Sequence, residues 1–568
     1  MRHNFPLKAA LLFGCLFLAA GSAAAEEIDA PVIGDTLVTA SIGEPSTLIP
    51  ILASDSASAE VSGLIFNGLV KYDPDLTLVG DLAERWEIRS AGLEILFFLK
   101  KGVRWHDGVP FTAADVQFTY QRLIDPSVPT PYRGDFERVA SLEVLDDFTV
   151  RVRYKEPFAP GLSSWGMGIL PKHLLENKDL TTTPFKERPI GTGPFLFHRW
   201  VRGDRLELKS NPDYFEGRPF LNGYVFRIIP DQSTIFLELQ AQGIDFTGLT
   251  PLQFARMTDT PRFKRSFQKF RYPSFGYTYL GYNLRDPKFQ DRRVRQALNL
   301  AIRKQAIIRG VLYGLGLEAT GPFPQESWAC NPEVQPAPYD PGKAKALLAE
   351  AGWRDTDGDG ILDRAGRPFE FTILTNQGNL TRELTAQIIQ RQLAAIGIRV
   401  KIRILEWATL LHQFIDKHRF EAILLGWALS REPDPFDIWH SSKTGEGEFN
   451  FIGYSNPEVD RLLSEGRSSF EQRKREAVYH KLHKILYEDQ PVCFLFVPDS
   501  LPVIHRRFQE VEVSPLGLGY NLIHWYVPIS RQRYRMTPPP VGRHQAPHRI
   551  SLGGLSAESR RDSQQVVG

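Results

Sequence analysis

The sequence is poor in the residues from which reactive and metal centres are usually assembled. It holds three cysteines and four methionines in 568 residues, too few for a disulfide framework or a four-cysteine zinc site. It lacks an excess of charge of either sign: 68 basic against 66 acidic residues leave +2, which gives no electrostatic case for nucleic acid or an anionic membrane surface. There is no HExxH, no GxSxG, no Walker loop, and the glycines of "YGLGLEATG" do not have dinucleotide-fingerprint spacing. His480 and His483 in "HKLHKIL" are three apart on a predicted helix, but no local carboxylate or cysteine completes a metal set, so they read as a solvated face. An enzyme is disfavoured, although catalytic groups that meet only in space leave no local motif.

Long apolar runs are also missing, except at the start. "MRHNFPLKAALLFGCLFLAAGSAAAEE" has basic Arg2 and Lys8, an apolar stretch from Ala9 to Ala20 and a small-residue end at Ala23-Ala24-Ala25, the layout of a cleaved export signal over residues 1–25. Lipid attachment at Cys15 is the alternative; the bulky Phe13 and the apolar residues beyond the cysteine argue against it. The mature chain is expected to be soluble and extracytoplasmic, with Cys330 and Cys493 either as buried thiols or as one disulfide.

What is present is a well-packed composition, 42% hydrophobic and 11% aromatic, in which short strands alternate with amphipathic helices, as in α/β architecture. "PFTAADVQFTYQRL" opens on a capping box, Thr112 with Asp115. "YDPGKAKALLAEAGW" has Asp340 as cap, Pro341 in the first turn and Gly352 as stop. "TRELTAQIIQRQLAAIG" places Leu384, Ile388 and Leu393 on one side and ends at Gly397; "IRVKIRI" then alternates from Ile398 to Ile404 as a strand with one buried face. The segment 536–568, rich in Pro, Gly, Ser, Gln and Arg, cannot bury enough surface to offset ordering entropy and is expected to be a disordered tail.

"WRDTDGDGILDRAGRPFE" copies the opening of a calcium loop with Asp355, Asp357, Asp359 and Gly360. The copy breaks at the twelfth position, Gly366, and the nearest substitute carboxylate is Asp363. Asp/Gly turns also occur without metal, so this stretch is either a turn or a structural calcium site. No other cofactor is called for.

Longer motifs carry a resemblance. Residues 64–116, "LIFNGLVKYDPDLTLVGDLAERWEIRSAGLEILFFLKKGVRWHDGVPFTAADV", are similar to the signature region of the extracytoplasmic solute-binding proteins that serve peptide and nickel ABC importers. The likeness continues in "PIGTGPF" (189–195), "YLGYNLRDPKFQDRRVRQALNLAI" (279–302), "YDPGKAKALLAEAGW" (339–353) and "ILLGWALSREPDPFDIWHSS" (423–442), and spans about Asp35 to Pro528. It implies a bilobed periplasmic-binding-protein fold of class II type, a Venus flytrap. Residues 36–58, 190–274 and 497–530 would form one lobe, 59–189 an extra inserted subdomain and 275–496 the other lobe. The aspartate loop would then be a turn away from the ligand.

The resemblance further implies a monomeric periplasmic receptor that closes on a small-molecule ligand and delivers it to inner-membrane permease subunits. In peptide-binding relatives the ligand lies as an added strand. "AILLGW", with Gly426 and Trp427, and "ASDSAS", with Ser54, Asp55 and Ser56, match the two edges involved. Tyr132, Tyr282 and Asn283 are further cleft candidates. Where typical members carry an aspartate for the peptide's α-amino group, this chain has Ser430; Glu432 and Asp434 are the candidate substitutes, or "EPDP" is only a turn. Oligopeptides are the expected cargo. An oligosaccharide remains open because the amino anchor is missing; a metal chelate is weaker for want of a suitable His pair, and a secreted hydrolase is the alternative from another class.

Overall fold

In the computed structural model, which describes residues 30–534, the strands gather into two large sheets. The expected export signal and C-terminal tail lie outside the described residues. The first sheet has seven strands in the order Phe267–Lys269, Pro502–His505, Phe246–Gly248, Thr36–Ser41, Gly223–Ile228, Arg205–Ser210 and Phe195–Val201. The second runs Tyr272–Pro273, Val492–Ser500, Gly276–Tyr282, Ala422–Ala428, Glu370–Asn376 and Arg399–Leu405, with Gly316–Glu318 added beside Val492–Ser500. A four-stranded antiparallel sheet, Ala83–Arg89, Glu94–Leu99, Thr149–Tyr154 and Val139–Asp146, shares one continuous core with the first sheet. The result is a bilobed α/β fold with an extra subdomain on the first lobe.

The chain passes between the lobes in two places, and these cross side by side: Tyr272 pairs with Ser500 and Pro273 with Asp499, antiparallel. Arg271 Nε donates to Asp499 Oδ2 at 2.6 Å across the same ribbon. Residues 492–500 thus belong to the second sheet and 502–505 to the first.

The centre of the second sheet is covered on both faces, so its middle strand Gly276–Tyr282 is buried at every position, as a doubly covered strand must be. Leu280 and Leu424 face a cluster that includes Ala386, Ile389 and Leu393 of the helix Leu380–Ala394. Tyr277, Tyr279, Ile423 and Leu425 face the helices Pro457–Ser468 and Gln472–Asp489.

Local signals translate unevenly. The Thr112/Asp115 capping box starts a helix at Ala113, and Asp340 caps Pro341–Glu350 by accepting from Lys343 N at 2.8 Å. The stripe of the Leu380–Ala394 helix is rotated from the expected one: Leu384 is exposed and Ala386 with Ile389 takes its place. Arg399–Leu405 is an edge strand, so its buried face fades from Val400 to an exposed Ile404. His483 is a correction, because it lies fully buried instead of on a solvated face. Its Nδ1 accepts from Asn331 N at 3.0 Å and its Nε2 meets Thr320 Oγ1 at 3.2 Å, while burial pulls its pKa down to about 4. Cys330 and Cys493 are free thiols.

One buried charge cluster ties the three separate segments of the first lobe. Arg507 donates to Asp245 through Nε (3.1 Å) and Nη2 (2.6 Å) and pairs with Asp35, all three being nearly free of solvent contact. Removing one partner of such a cluster strands the others in a low dielectric. Arg507→Ala is therefore expected to cost about 3–5 kcal/mol in denaturant unfolding of this lobe, and a loss under 1 kcal/mol would contradict the role.

Candidate functional site: the cleft between the lobes

The lobes meet across a cleft, and the contacts at its rim show which residues face it. Gly378, at φ +80°, approaches the Pro230 carbonyl so closely that a Cβ would lie 2.1 Å from it, which restricts this point to glycine. Beside it Leu380 N donates to Gln232 Oε1 at 3.1 Å. A side chain at Gly43 would come within 3.1 Å of the Trp407 indole. At the other end Tyr132 of the inserted subdomain meets Phe449 edge-on, ring centres 5.9 Å apart. Its hydroxyl donates to the Ala53 carbonyl at 2.6 Å. Burial, with Asp437 and Asp55 nearby, pushes that phenol up to about 12.

The strand Ala422–Ala428 runs to this cleft. On one side it pairs with Gly276–Tyr282 along its whole length. On the other, Glu370–Asn376 pairs with it only at Ala422 and Ile423, and the Thr375 hydroxyl takes the Leu424 carbonyl at 2.9 Å. Backbone groups alternate sides along a strand, so Gly426, two residues after Leu424, turns its N–H and C=O toward the side that Glu370–Asn376 has vacated. The last turnless stretch, Leu425 to Ala428, is an open sheet edge. Trp427 stands on it half-buried, stacked on Tyr279 (6.4 Å, 9°) and Phe451 (5.7 Å, 24°) and edge-on to Phe449 (5.3 Å).

The other expected residues are placed as follows. Only Ala53, Ser54 and Asp55 form the extended piece of "ASDSAS", because Ser56 already begins a helix. Asp55 is that helix's cap, accepting from Ser58 N (2.9 Å), Ser58 Oγ (2.6 Å) and Ser46 Oγ (2.7 Å); Ser54 and Ser56 are exposed. Tyr282 and Asn283 are corrections. They lie at the opposite end of their strand from the cleft, Tyr282 buried and stacked on Phe289 at 5.1 Å, Asn283 donating to the carbonyls of His418 and Phe420.

Ser430 is exposed, and neither proposed substitute for the missing aspartate is free. Glu432 pairs with Arg475. Asp434 takes Arg467 twice, at 2.9 Å to Nε and 2.6 Å to Nη2. Arg467 is almost without solvent contact and also reaches Asp135 of the inserted subdomain at 2.8 Å, so this arginine fastens the two lobes to each other. Asp437 and Lys443 complete the group, 3.6 Å apart, and Lys443 also meets Glu448 at 3.5 Å. Burial, reinforced by Asp135 and Asp434 and opposed by Arg467 and Lys443, raises the Asp437 carboxyl to about 7. None of Asp135, Asp437 or Arg467 carries a local sequence signal; they converge from distant segments.

The aspartate loop is remote from all of this, preceding Glu370 at the end of the strand opposite Asn376. Asp355, Asp357 and Asp359 gather their carboxylates within 4.8 Å, exposed. Asp363 is held instead by Thr356, N at 2.9 Å and Oγ1 at 2.7 Å, and is not part of that set.

A family model, bacterial extracellular solute-binding proteins, family 5, matches residues 77–449. The chain belongs to that family. The oligopeptide-binding protein AppA of Bacillus subtilis strain 168 is 35% identical over 515 residues, 89% of this chain and 94% of AppA. The solved structure of AppA from Bacillus subtilis with a nonapeptide matches with a TM-score of 0.84 and 34% identity over 88% of this chain and 99% of that one. DppA from Helicobacter pylori with the peptide STSA gives 0.80 at 27% identity (88% and 99% covered), and NikZ from Campylobacter jejuni with Ni(L-His) gives 0.79 at 28% (87% and 99%). Among the described residues no helix is long and apolar enough to cross a membrane.

Three outcomes follow for this solute-binding cleft. Trp427→Ala should lower ligand affinity at least about tenfold with the fold intact, since well-packed aromatic anchors at a binding surface concentrate binding energy; unchanged affinity by calorimetry would remove Trp427 from the site. A carboxyl whose folded pKa is raised favours the fold at low pH and loses that contribution as pH climbs through the folded value. Asp437→Asn should therefore raise the thermal midpoint more at pH 8 than at pH 5, and an equal shift at both would contradict the assignment. A calcium chelator should leave ligand affinity unchanged, because the aspartate loop is at the far end of its lobe.

Proposed function

We propose that this chain is the extracytoplasmic receptor of an ABC importer, taking oligopeptides between its lobes and presenting them to permease subunits in the inner membrane. The observation that carries the reading is the open edge at Leu425 to Ala428, which lies at the mouth of the cleft with its backbone groups unpaired on one side. A peptide laid along it completes the sheet by main-chain hydrogen bonds, which do not depend on side-chain identity. Its alternate side chains then project to either face, one of them toward Trp427 and Phe449. The AppA and DppA structures, each with a peptide bound, support the same reading.

The amino terminus of such a peptide is not met by an acid at 430, 432 or 434, because Ser430 carries no charge and the two carboxylates are held by arginines. Affinity then rests on the strand edge and on closure, the state in which both lobes present their contacts. The export signal agrees with a periplasmic place of work, and the receptor works as a monomer without a cofactor. Its work in this reading is capture and release of an intact ligand.

Hydrogen exchange with a mixed peptide pool tests this. The amides of Gly426 and Ala428 should gain protection with peptide and none with oligosaccharides, while chromatography of the pool shows no cleavage. Saturable turnover that follows the purified protein would replace the receptor by a hydrolase, and protection by sugar alone would replace the peptide.

A further inference from the structure

The seam between the inserted subdomain and the second lobe buries charged side chains from both sides. The subdomain shares its core with the first lobe and moves with it, so contacts across this seam form when the lobes close and part when they open. The backbone at Gly134, in the short helix Arg133–Phe136, lies directly over two side chains of the second lobe: a Cβ there would be 2.8 Å from Lys443 Nζ and 3.3 Å from Asp437 Oδ1. One residue on, Asp135 takes Arg467 at 2.8 Å and accepts from Ser164 Oγ at 2.6 Å. Three residues further, the Arg138 guanidinium lies 5.6 Å from the centre of the Phe436 ring.

Asp437 is left short of partners at this seam. Its Oδ1 is sealed from solvent and accepts no hydrogen bond among the described residues. Lys443 stands 3.6 Å from it and is shared with Glu448. The other charges around it are engaged elsewhere. Within its own lobe Arg467 is taken by Asp434, Asp460 accepts from Ser441 N, and His440, stacked on Phe436 at 4.1 Å, meets Ser442. From the subdomain, Asp135 is spent on Arg467, Arg138 on Glu156, Arg133 on the carbonyls of Asp125 and Val128, and Tyr132 on the Ala53 carbonyl. Beyond them Glu432 pairs with Arg475.

A carboxylate oxygen sealed from water with no donor disfavours the charged form. Burial raises Asp437 to about 7 and raises Asp135 as well. When the lobes part, both carboxyls meet water and return to the ordinary range. An acid whose pKa is higher closed than open binds protons on closing. Closure is therefore favoured as pH falls through the closed-state value and loses that contribution as pH rises past it. Burial shifts His440 downward, the opposite sense, but its ring partner Phe436 and its hydrogen-bond partner Ser442 belong to its own lobe and stay with it in both states.

We propose that this seam is a proton-operated latch: closing draws a proton from solvent onto the buried acids of the seam, Asp437 first, so that ligand capture tightens as the surroundings acidify. This rests on the reading above of a receptor that closes on its ligand.

Calorimetry with a synthetic nonapeptide of Ala, Gly and Leu, run at pH 7 in buffers of different ionisation enthalpy, reads the protons taken up per ligand bound. The expected result is net uptake by the wild-type chain, with affinity falling roughly three- to tenfold from pH 6 to pH 8. Asp437→Asn keeps the shape and removes the titrating group, so it should abolish most of the uptake and flatten the pH profile; using one peptide for both chains cancels the peptide's own titration. Equal uptake in the two chains, or an unchanged pH profile, overturns the latch and leaves the receptor standing. The wild-type uptake needs no variant, and its absence overturns the latch by itself. If no peptide binds at either pH the peptide reading fails, and small-angle scattering of the unliganded protein decides the latch alone. Compaction from pH 8 to pH 6 that Asp437→Asn lacks sustains it, and an unchanged radius of gyration overturns it.

Discussion

The constraint from which the rest follows is the pairing of the two crossing strands, Tyr272 with Ser500 and Pro273 with Asp499. Because the chain leaves the first lobe and returns through the same narrow ribbon, everything between 272 and 500 must close on itself as one body, and the segments on either side must combine into another. A two-stranded ribbon bends and twists through a few backbone dihedrals, which gives the lobes a rotation toward or away from each other. The discontinuous first lobe then needs an internal fastening, which Arg507 supplies by meeting Asp35 from the start of the described chain and Asp245 from its middle.

Closure brings charge out of water. Arg467 keeps Asp434 within its own lobe and adds Asp135 from the other only when the lobes meet. Around them Lys443 stands between Asp437 and Glu448. Desolvation of such a group costs several kcal/mol per ion and is offset only in part by pairing. The junction is therefore specific without being strongly adhesive, and a ligand that binds both lobes can decide the balance. Tyr132 acts in the same place, its hydroxyl on Ala53 and its ring on Phe449.

The α/β class, the helix caps at Thr112 and Asp340 and the long family motifs were legible in the sequence because they depend on residues close together in the chain. The strand ending at Gly426-Trp427 was legible for the same reason. Other features were not. The substitutes proposed for the missing aspartate looked free because Arg467 and Arg475 lie tens of residues away, and only folding brings them to Asp434 and Glu432. Tyr282 and Asn283 were assigned to the cleft from their motif, but a strand of seven residues has two ends, and sequence does not say which one meets the ligand. His483 looked solvated on helical spacing; the loop carrying Thr320 and Asn331 buries it.

The central claim is that peptides are what this cleft holds. Native mass spectrometry of the mature protein from an extracytoplasmic preparation, followed by denaturation and identification of the released molecules, tests it most directly. The account predicts a heterogeneous ladder of short peptides at one per protein chain. Release of a single sugar or a metal chelate in their place would contradict it.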